Sequence, residues 1–294
     1  MAALLAAMAI APAARASEGG TGNFGVGAVT VVAGALPPPG TTESYGYLLY
    51  YSADSYRDDA GHSAIPGFKA DLVVQALRVM HTWQARLWGL DLSSSLIGES
   101  IYAKVRAAGN TGHSFGPDLV CFDPFHIGGV FGNWYLQTGT YFYLPLGPYD
   151  PKALANSTTH YRSLAQEVSM TWMPTPRWEA SVDANVSFNQ RNEATGYRSG
   201  DLLGFTYGLG YRPFAAAPQW QLGLNGYYEQ QFTDDRQDGA PVPTGARLRK
   251  FSVGPQAVYW FSPAAALVLK WQHELDVRNA PRGDLLWLQF ALPL

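Results

Sequence analysis

The stretch Trp178 to Asn189 reads WEASVDANVSFN, and every second residue is apolar. Trp178, Ala180, Val182, Ala184, Val186 and Phe188 share one side; Glu179, Ser181, Asp183, Asn185, Ser187 and Asn189 share the other. A helix would mix the two sets, whereas a strand separates them. The pattern recurs at Trp220, Leu222, Leu224 and Tyr228 against Gln221, Asn225, Tyr227 and Glu229. It recurs again at Leu267, Leu269 and Trp271 against Val268, Lys270 and Gln272, and at Val168, Met170 and Trp172 against Glu167, Ser169 and Thr171. Each such strand must cover one whole apolar face, with a protein core or with lipid.

The alternation predicts strands over 45–52, 68–80, 83–98, 118–131, 134–145, 160–173, 177–189, 200–212, 219–232, 248–261, 264–277 and 284–293. That is an even set of about twelve, each long enough to cross a bilayer when tilted. Between 68 and 104 the alternation blurs. Tight links are expected at Gly132-Asn133, Pro174-Thr175-Pro176 and Ser262-Pro263, with a slightly longer one at 213–218. Long polar links are expected at 53–67, 104–117, 146–159, 190–199, 233–247 and 278–283. Short and long links alternate, as in a barrel with short periplasmic turns and longer external loops. The expected fold is therefore all-β: an antiparallel transmembrane β-barrel of about twelve strands.

Composition weighs between lipid and core. Only 15% of residues are charged and 14% are aromatic, against about a quarter charged in soluble domains. Trp134, Tyr161, Trp172, Trp178, Trp220, Phe232, Phe251 and Phe261 fall near strand ends, where interfacial girdles form. No run is long and apolar enough for a membrane helix, so a closed barrel is the spanning solution left. A soluble barrel with the apolar face inside is the competing arrangement.

The opening residues MAALLAAMAIAPAARA resemble a signal peptide. Leu4 to Ile10 form the apolar run and Ala14-Arg15-Ala16 the cleavage site, although no basic residue precedes the run. The expected organisation is a signal peptide over 1–16, a plug-like periplasmic segment over 17–44 and a barrel over 45–294. In the second part, Leu36-Pro37-Pro38-Pro39-Gly40 is stiff and cannot join a central strand. A plug at the barrel mouth and a simple leader both suit it.

A net charge of −3 without a basic run offers nothing to nucleic acid. Cys121 is the only cysteine; it reads as a small buried or lipid-facing residue. His62, His81, His113, His126, His160 and His273 show no zinc-type spacing. His273 and Glu274 adjoin, but strand neighbours point to opposite faces. Asp234, Asp235 and Asp238 read as a solvated acidic loop, with a divalent cation as the alternative. No metal site and no cofactor is expected.

The stretches AGALPPPGTT (33–42), YLLYYSAD (47–54), YRSGDLLGFTYGLGY (197–211), GYYEQQFTDD (226–235), VGPQ (253–256) and LKWQHELD (269–276) resemble the phenol MetA-pathway degradation family. Arg282-Gly283-Asp284 extends the match. The resemblance implies a transporter-like barrel in the outer membrane of a Gram-negative bacterium. It implies a small hydrophobic or aromatic solute and supplies no catalytic residues. The last residues, Phe290-Ala291-Leu292-Pro293-Leu294, depart from a terminal aromatic; Phe290, Leu292 and Leu294 still share a face for the assembly machinery. Membrane lipid and lipopolysaccharide are the other expected partners.

The expected activity is passage of solute through the lumen, without enzymatic chemistry. The candidates facing that lumen are Tyr135, Tyr141, Tyr143, Glu179, Asp183, Tyr227, Glu229, Lys270 and Glu274. Tyrosines suit an amphipathic solute, and lumen charges tune selectivity. The alternatives are a lipase- or phospholipase-like barrel, which needs a serine–histidine pair, and a closed structural or adhesion barrel.

Overall fold

The computed structural model describes residues 20–242 and 247–294. The signal-peptide segment 1–16 lies outside the described residues. In chain order the strands are β1 (Thr42–Tyr56), β2 (Lys69–Leu87), β3 (Leu90–Ala107), β4 (Asn110–Phe131), β5 (Trp134–Pro145), β6 (Ser163–Thr175) and β7 (Trp178–Asn189). There follow β8 (Tyr197–Arg198), β9 (Leu202–Tyr211), β10 (Trp220–Gln231), β11 (Arg236–Gln237), β12 (Ala240–Pro241), β13 (Arg249–Ser262), β14 (Ala265–Arg278) and β15 (Pro281–Pro293). Twelve of them form one closed antiparallel barrel, while β8, β11 and β12 make a small sheet within the connections. The ring shuts where β1 meets β15, with Tyr47 opposite Gln289 and Leu49 opposite Trp287.

The barrel carries its apolar side outward. Leu224 and Leu269 are 55% and 51% exposed, while Asn225, Lys270 and Asp183 are at most 1% exposed. A soluble barrel would show the reverse. Closure also removes every unpaired wall edge, as hydrocarbon surroundings demand. Around the rim that carries the short turns runs an aromatic girdle. Trp134 stacks on Trp172 at 5.6 Å, Trp178 meets Tyr211 at 4.5 Å, and Trp220 meets Tyr259 at 4.9 Å. Tyr161 is an exception to the expected girdle: it is buried inside the opposite rim.

Three expected boundaries are corrected. The break at 81–82 does not exist, because β2 runs on to Leu87 and turns at Trp88-Gly89. The expected long link 104–117 is instead the paired ends of β3 and β4, joined at Ala108-Gly109. Both turns place two residues at positive φ (53° and 80°, 49° and 84°), the conformation that matches the twist of a two-residue hairpin. Lys104, Arg106 and His113 read as loop residues because these strands continue past the apolar belt. The link 278–283 is likewise a tight turn at Asn279-Ala280. The long connections that remain, 57–68, 146–162, 190–201 and the described parts of 232–248, all lie at one rim.

Candidate functional site

Residues 20–41 do not join the wall. They pass lengthwise through the lumen and enter β1 at the short-turn rim. At the far rim, Asn23 donates to Tyr161 O (3.0 Å) and Ser163 Oγ (2.8 Å) and accepts from Thr159 Oγ1 (2.6 Å). Midway, Gly27 N donates to Thr206 Oγ1 at 2.8 Å. Lys270 Nζ donates to Gly27 O at 2.7 Å and Ala28 O at 2.6 Å. Lower down, Val32 N donates to Glu179 Oε1 (2.6 Å), Gly34 N donates to Thr171 Oγ1 (2.9 Å), and Gln137 Nε2 donates to Ala33 O. Gly40 N finally meets Thr82 O at 2.7 Å.

This segment has few backbone groups of its own to pair with, so the wall must satisfy them. Polar lumen residues of β5, β6, β7, β9, β14 and β15 do so. Their sequence shows how room is made: the lumen face of β9 is Gly204, Thr206, Gly208 and Gly210. A Cβ at Gly208 would stand 1.9 Å from Thr30 O. The glycine run on this strand is a trough for the segment.

The other half of the lumen has a different chemistry. A cavity of about 460 Å³ lies between the segment and mainly the inner faces of β1 to β5 and β15, with β6, β10, β13 and β14 each adding one or two residues. Leu49, Leu72, Val74, Ile97, Ile101 and Val105 make its wall, and Val26, Ala28 and Val29 of the segment close the opposite side. Phe24 sets its edge against Tyr141 (6.2 Å) and Tyr143 (6.4 Å). The connection 146–162 supplies Tyr149, Leu154 and Thr158 at the outer end. Its volume falls within the range of about 300–1,000 Å³ usual for small-molecule pockets.

All nine sequence candidates stand on the lumen side, but they divide between these halves. Tyr141, Tyr143, Tyr227, Glu229 and Glu274 line the cavity. Glu274 accepts from Tyr51 OH (3.0 Å), Tyr227 OH (2.5 Å) and Gly283 N (2.6 Å), and pairs with Lys250 at 3.3 Å. Glu179 and Lys270 hold the segment, and Asp183 bonds Ser169 Oγ at 3.3 Å within the polar half. Tyr135 is half-buried below the cavity and does not line it. Of the stiff stretch, Leu36 and Pro37 lie inside the mouth, and Pro38, Pro39 and Gly40 are exposed at the rim.

Sequence reasoning missed Arg78. It shares the lumen face of β2 with Leu72, Val74 and Ala76, and a lone arginine in that apolar run was the available signal. Arg78 Nη2 lies 3.3 Å from His126 Nε2, and His126 Nδ1 lies 2.9 Å from Gln137 Oε1. His126 also pairs with Asp123, both fully buried. Cys121 is buried in the inner wall against Tyr141 and Tyr143, not against lipid.

The remaining candidates are structural. Asp234 pairs with Arg247 at 2.8 Å and Asp238 with Arg191 at 3.1 Å. Asp235 departs from the solvated reading: it is buried and accepts from Gly200 N at 2.6 Å. Among the described residues no cluster suits a metal ion. His160 stacks on Tyr149 at 4.8 Å, and His273 bonds Asp284 at 2.8 Å, on the opposite face from Glu274.

The fold has solved counterparts. The crystal structure of an outer membrane channel from Pseudomonas putida F1 superposes with a TM-score of 0.76 at 18% identity, covering 90% of this chain and 99% of that one. The beta domain of a Bordetella autotransporter follows with a TM-score of 0.51 at 14% identity, covering 87% and 100%. No curated protein matches the chain. The sequence profile of the family described as "Putative MetA-pathway of phenol degradation" matches residues 53–290, and the chain belongs to that family.

Proposed function

We propose that the protein is an outer-membrane channel that admits small apolar or aromatic molecules, with the segment 20–41 as its internal constriction. The observation that carries this is the apolar cavity inside a membrane-type barrel. A lumen built only for ions or sugars has no use for a wall of Leu49, Leu72, Val74 and Ile101. The family description, which names phenol degradation, and the Pseudomonas protein, an outer membrane channel, support the same reading. Passage is diffusive: solute enters beside the connection 146–162, rests against the apolar wall and leaves when the segment shifts. Neither His160 nor His273 has a serine hydroxyl partner among the described residues, which favours passage over hydrolysis. The test is uptake of the apolar dye N-phenyl-1-naphthylamine by cells whose outer membrane carries the protein. A clear gain in initial rate over empty-vector cells is expected; equal rates would end the channel reading.

The same reading assigns lipopolysaccharide to one patch of the outer wall. With the long connections outside the cell, Lys69 stands opposite Arg106, and Lys104 opposite His113. All four are exposed and point away from the lumen, above the exposed rings of Tyr102 and Phe115. Cations above apolar surface fit lipid phosphates above acyl chains. Changing Lys69, Lys104 and Arg106 together to alanine is expected to remove most of the lipid A phosphate that purifies with the protein. An unchanged phosphate content would refute the assignment.

A further inference from the structure

The cavity is blind at its inner end. Its lining stops at one level around the wall: Tyr47 on β1, Arg78 on β2, Ile97 on β3, Cys121 on β4, Tyr141 on β5 and Glu167 on β6. The next lumen positions below, Met80, Ser95 and Asp123, do not reach it. We propose that this floor binds the anionic head, a carboxylate or phenolate, of an otherwise apolar molecule, with Arg78 as its partner. The inference rests on the channel reading and adds the class of cargo.

Arg78 is buried, and the groups that hold it directly are neutral or another nitrogen base. Its Nε donates to Ser95 Oγ at 3.2 Å and its Nη2 to Tyr141 OH at 3.2 Å; His126 and the Tyr47 hydroxyl are its other neighbours. No carboxylate comes within 4.0 Å of it among the described residues. Asp123 is taken by His126; Glu167, the acid that faces Arg78 across the floor, accepts from Ser169 Oγ at 2.7 Å and is bridged to Arg78 by the Tyr141 hydroxyl. A buried guanidinium without an anion in contact is costly to keep. Its planar fork suits a carboxylate bidentately, which an ammonium would not.

The acids elsewhere in the cavity are already answered. Glu274 has two tyrosine hydroxyls, a backbone N–H and Lys250. Glu229 lies beside Lys250, and Glu99 and Asp118 hydrogen-bond each other. Arg78 is thus the cavity's cation without a carboxylate in direct contact. It stands where a molecule lying along Leu72, Val74 and Ile101 would end.

The test uses the full chain in lipid nanodiscs, titrated calorimetrically with 4-ethylbenzoate and with its neutral counterpart 4-ethylbenzamide, empty nanodiscs serving as blank. The benzoate is expected to bind about tenfold more tightly, the size of one charge-assisted contact. Arg78→Gln is expected to bind both as the unaltered protein binds the amide, and Arg78→Lys to keep part of the preference. Heat-modifiable gel migration reports whether each variant has folded; should Arg78→Gln not fold, the preference in the unaltered chain and its partial survival in Arg78→Lys decide. Equal affinity of the unaltered protein for both ligands overturns the head-group site and leaves the channel standing. Binding of neither overturns both.

Discussion

Deletion of residues 20–40 opens the barrel: single-channel conductance in planar bilayers rises several-fold, and liposomes swell in small sugars that the unaltered protein excludes. The segment fills the space between the polar half of the lumen and the cavity, bonded at Asn23, Gly27, Val32 and Gly34. Its removal exposes Glu179, Thr206, Asn225 and Gln272 along the full height of the wall, and a polar wall of that kind fills with water. All barrel strands begin at Thr42 or later, so the ring still closes, and heat-modifiable migration will show it. Currents equal to those of the intact chain would mean that the segment does not set the bore.

The second large effect is expected at Lys270. The residue is 1% exposed and its Nζ donates to Gly27 O, Ala28 O and Thr30 Oγ1, the last at 3.2 Å. An intramolecular hydrogen bond is worth about 0.5–1.5 kcal/mol net, and three act together here. Gln272 and Gln289 still reach the same two carbonyls, each at 3.0 Å, so Lys270→Met does not orphan them. A net loss of about 3 kcal/mol raises the population of undocked segment about a hundredfold. Steady low current becomes flickering current, and the segment becomes open to added protease. A variant as quiet and as resistant as the parent would show that Lys270 is not the latch.

The sequence was most legible where the lumen is polar. From β5 onward each strand shows lipid one face and water-like side chains the other, so period two stands out at Trp178–Asn189 and Trp220–Gln231. It was least legible over β2 and β3, and the reason is functional. Leu72 and Val74 look into the cavity while Val73 and Leu77 look into lipid, so both faces are apolar and alternation vanishes. The cavity was hidden in the stretch where the pattern failed. Glu179 and Lys270 could be placed on the inner side from parity alone. Nothing in their spacing told that they grip a segment more than a hundred residues away in sequence. The links 104–117 and 278–283 misled because polar composition marks water, not loops.

The course of residues 20–41 bears on how such a molecule can be assembled. A ring already sealed between β1 and β15 cannot be threaded from the side. The strand that completes the ring is the one tethered to the thread, at Thr42. Either the leading stretch is laid along the Gly208 trough before the seam zips, or it is drawn end-first up a finished bore. In the first order the wall is wound around its own contents, and the last hydrogen bonds of the cylinder lock in something that can no longer leave sideways.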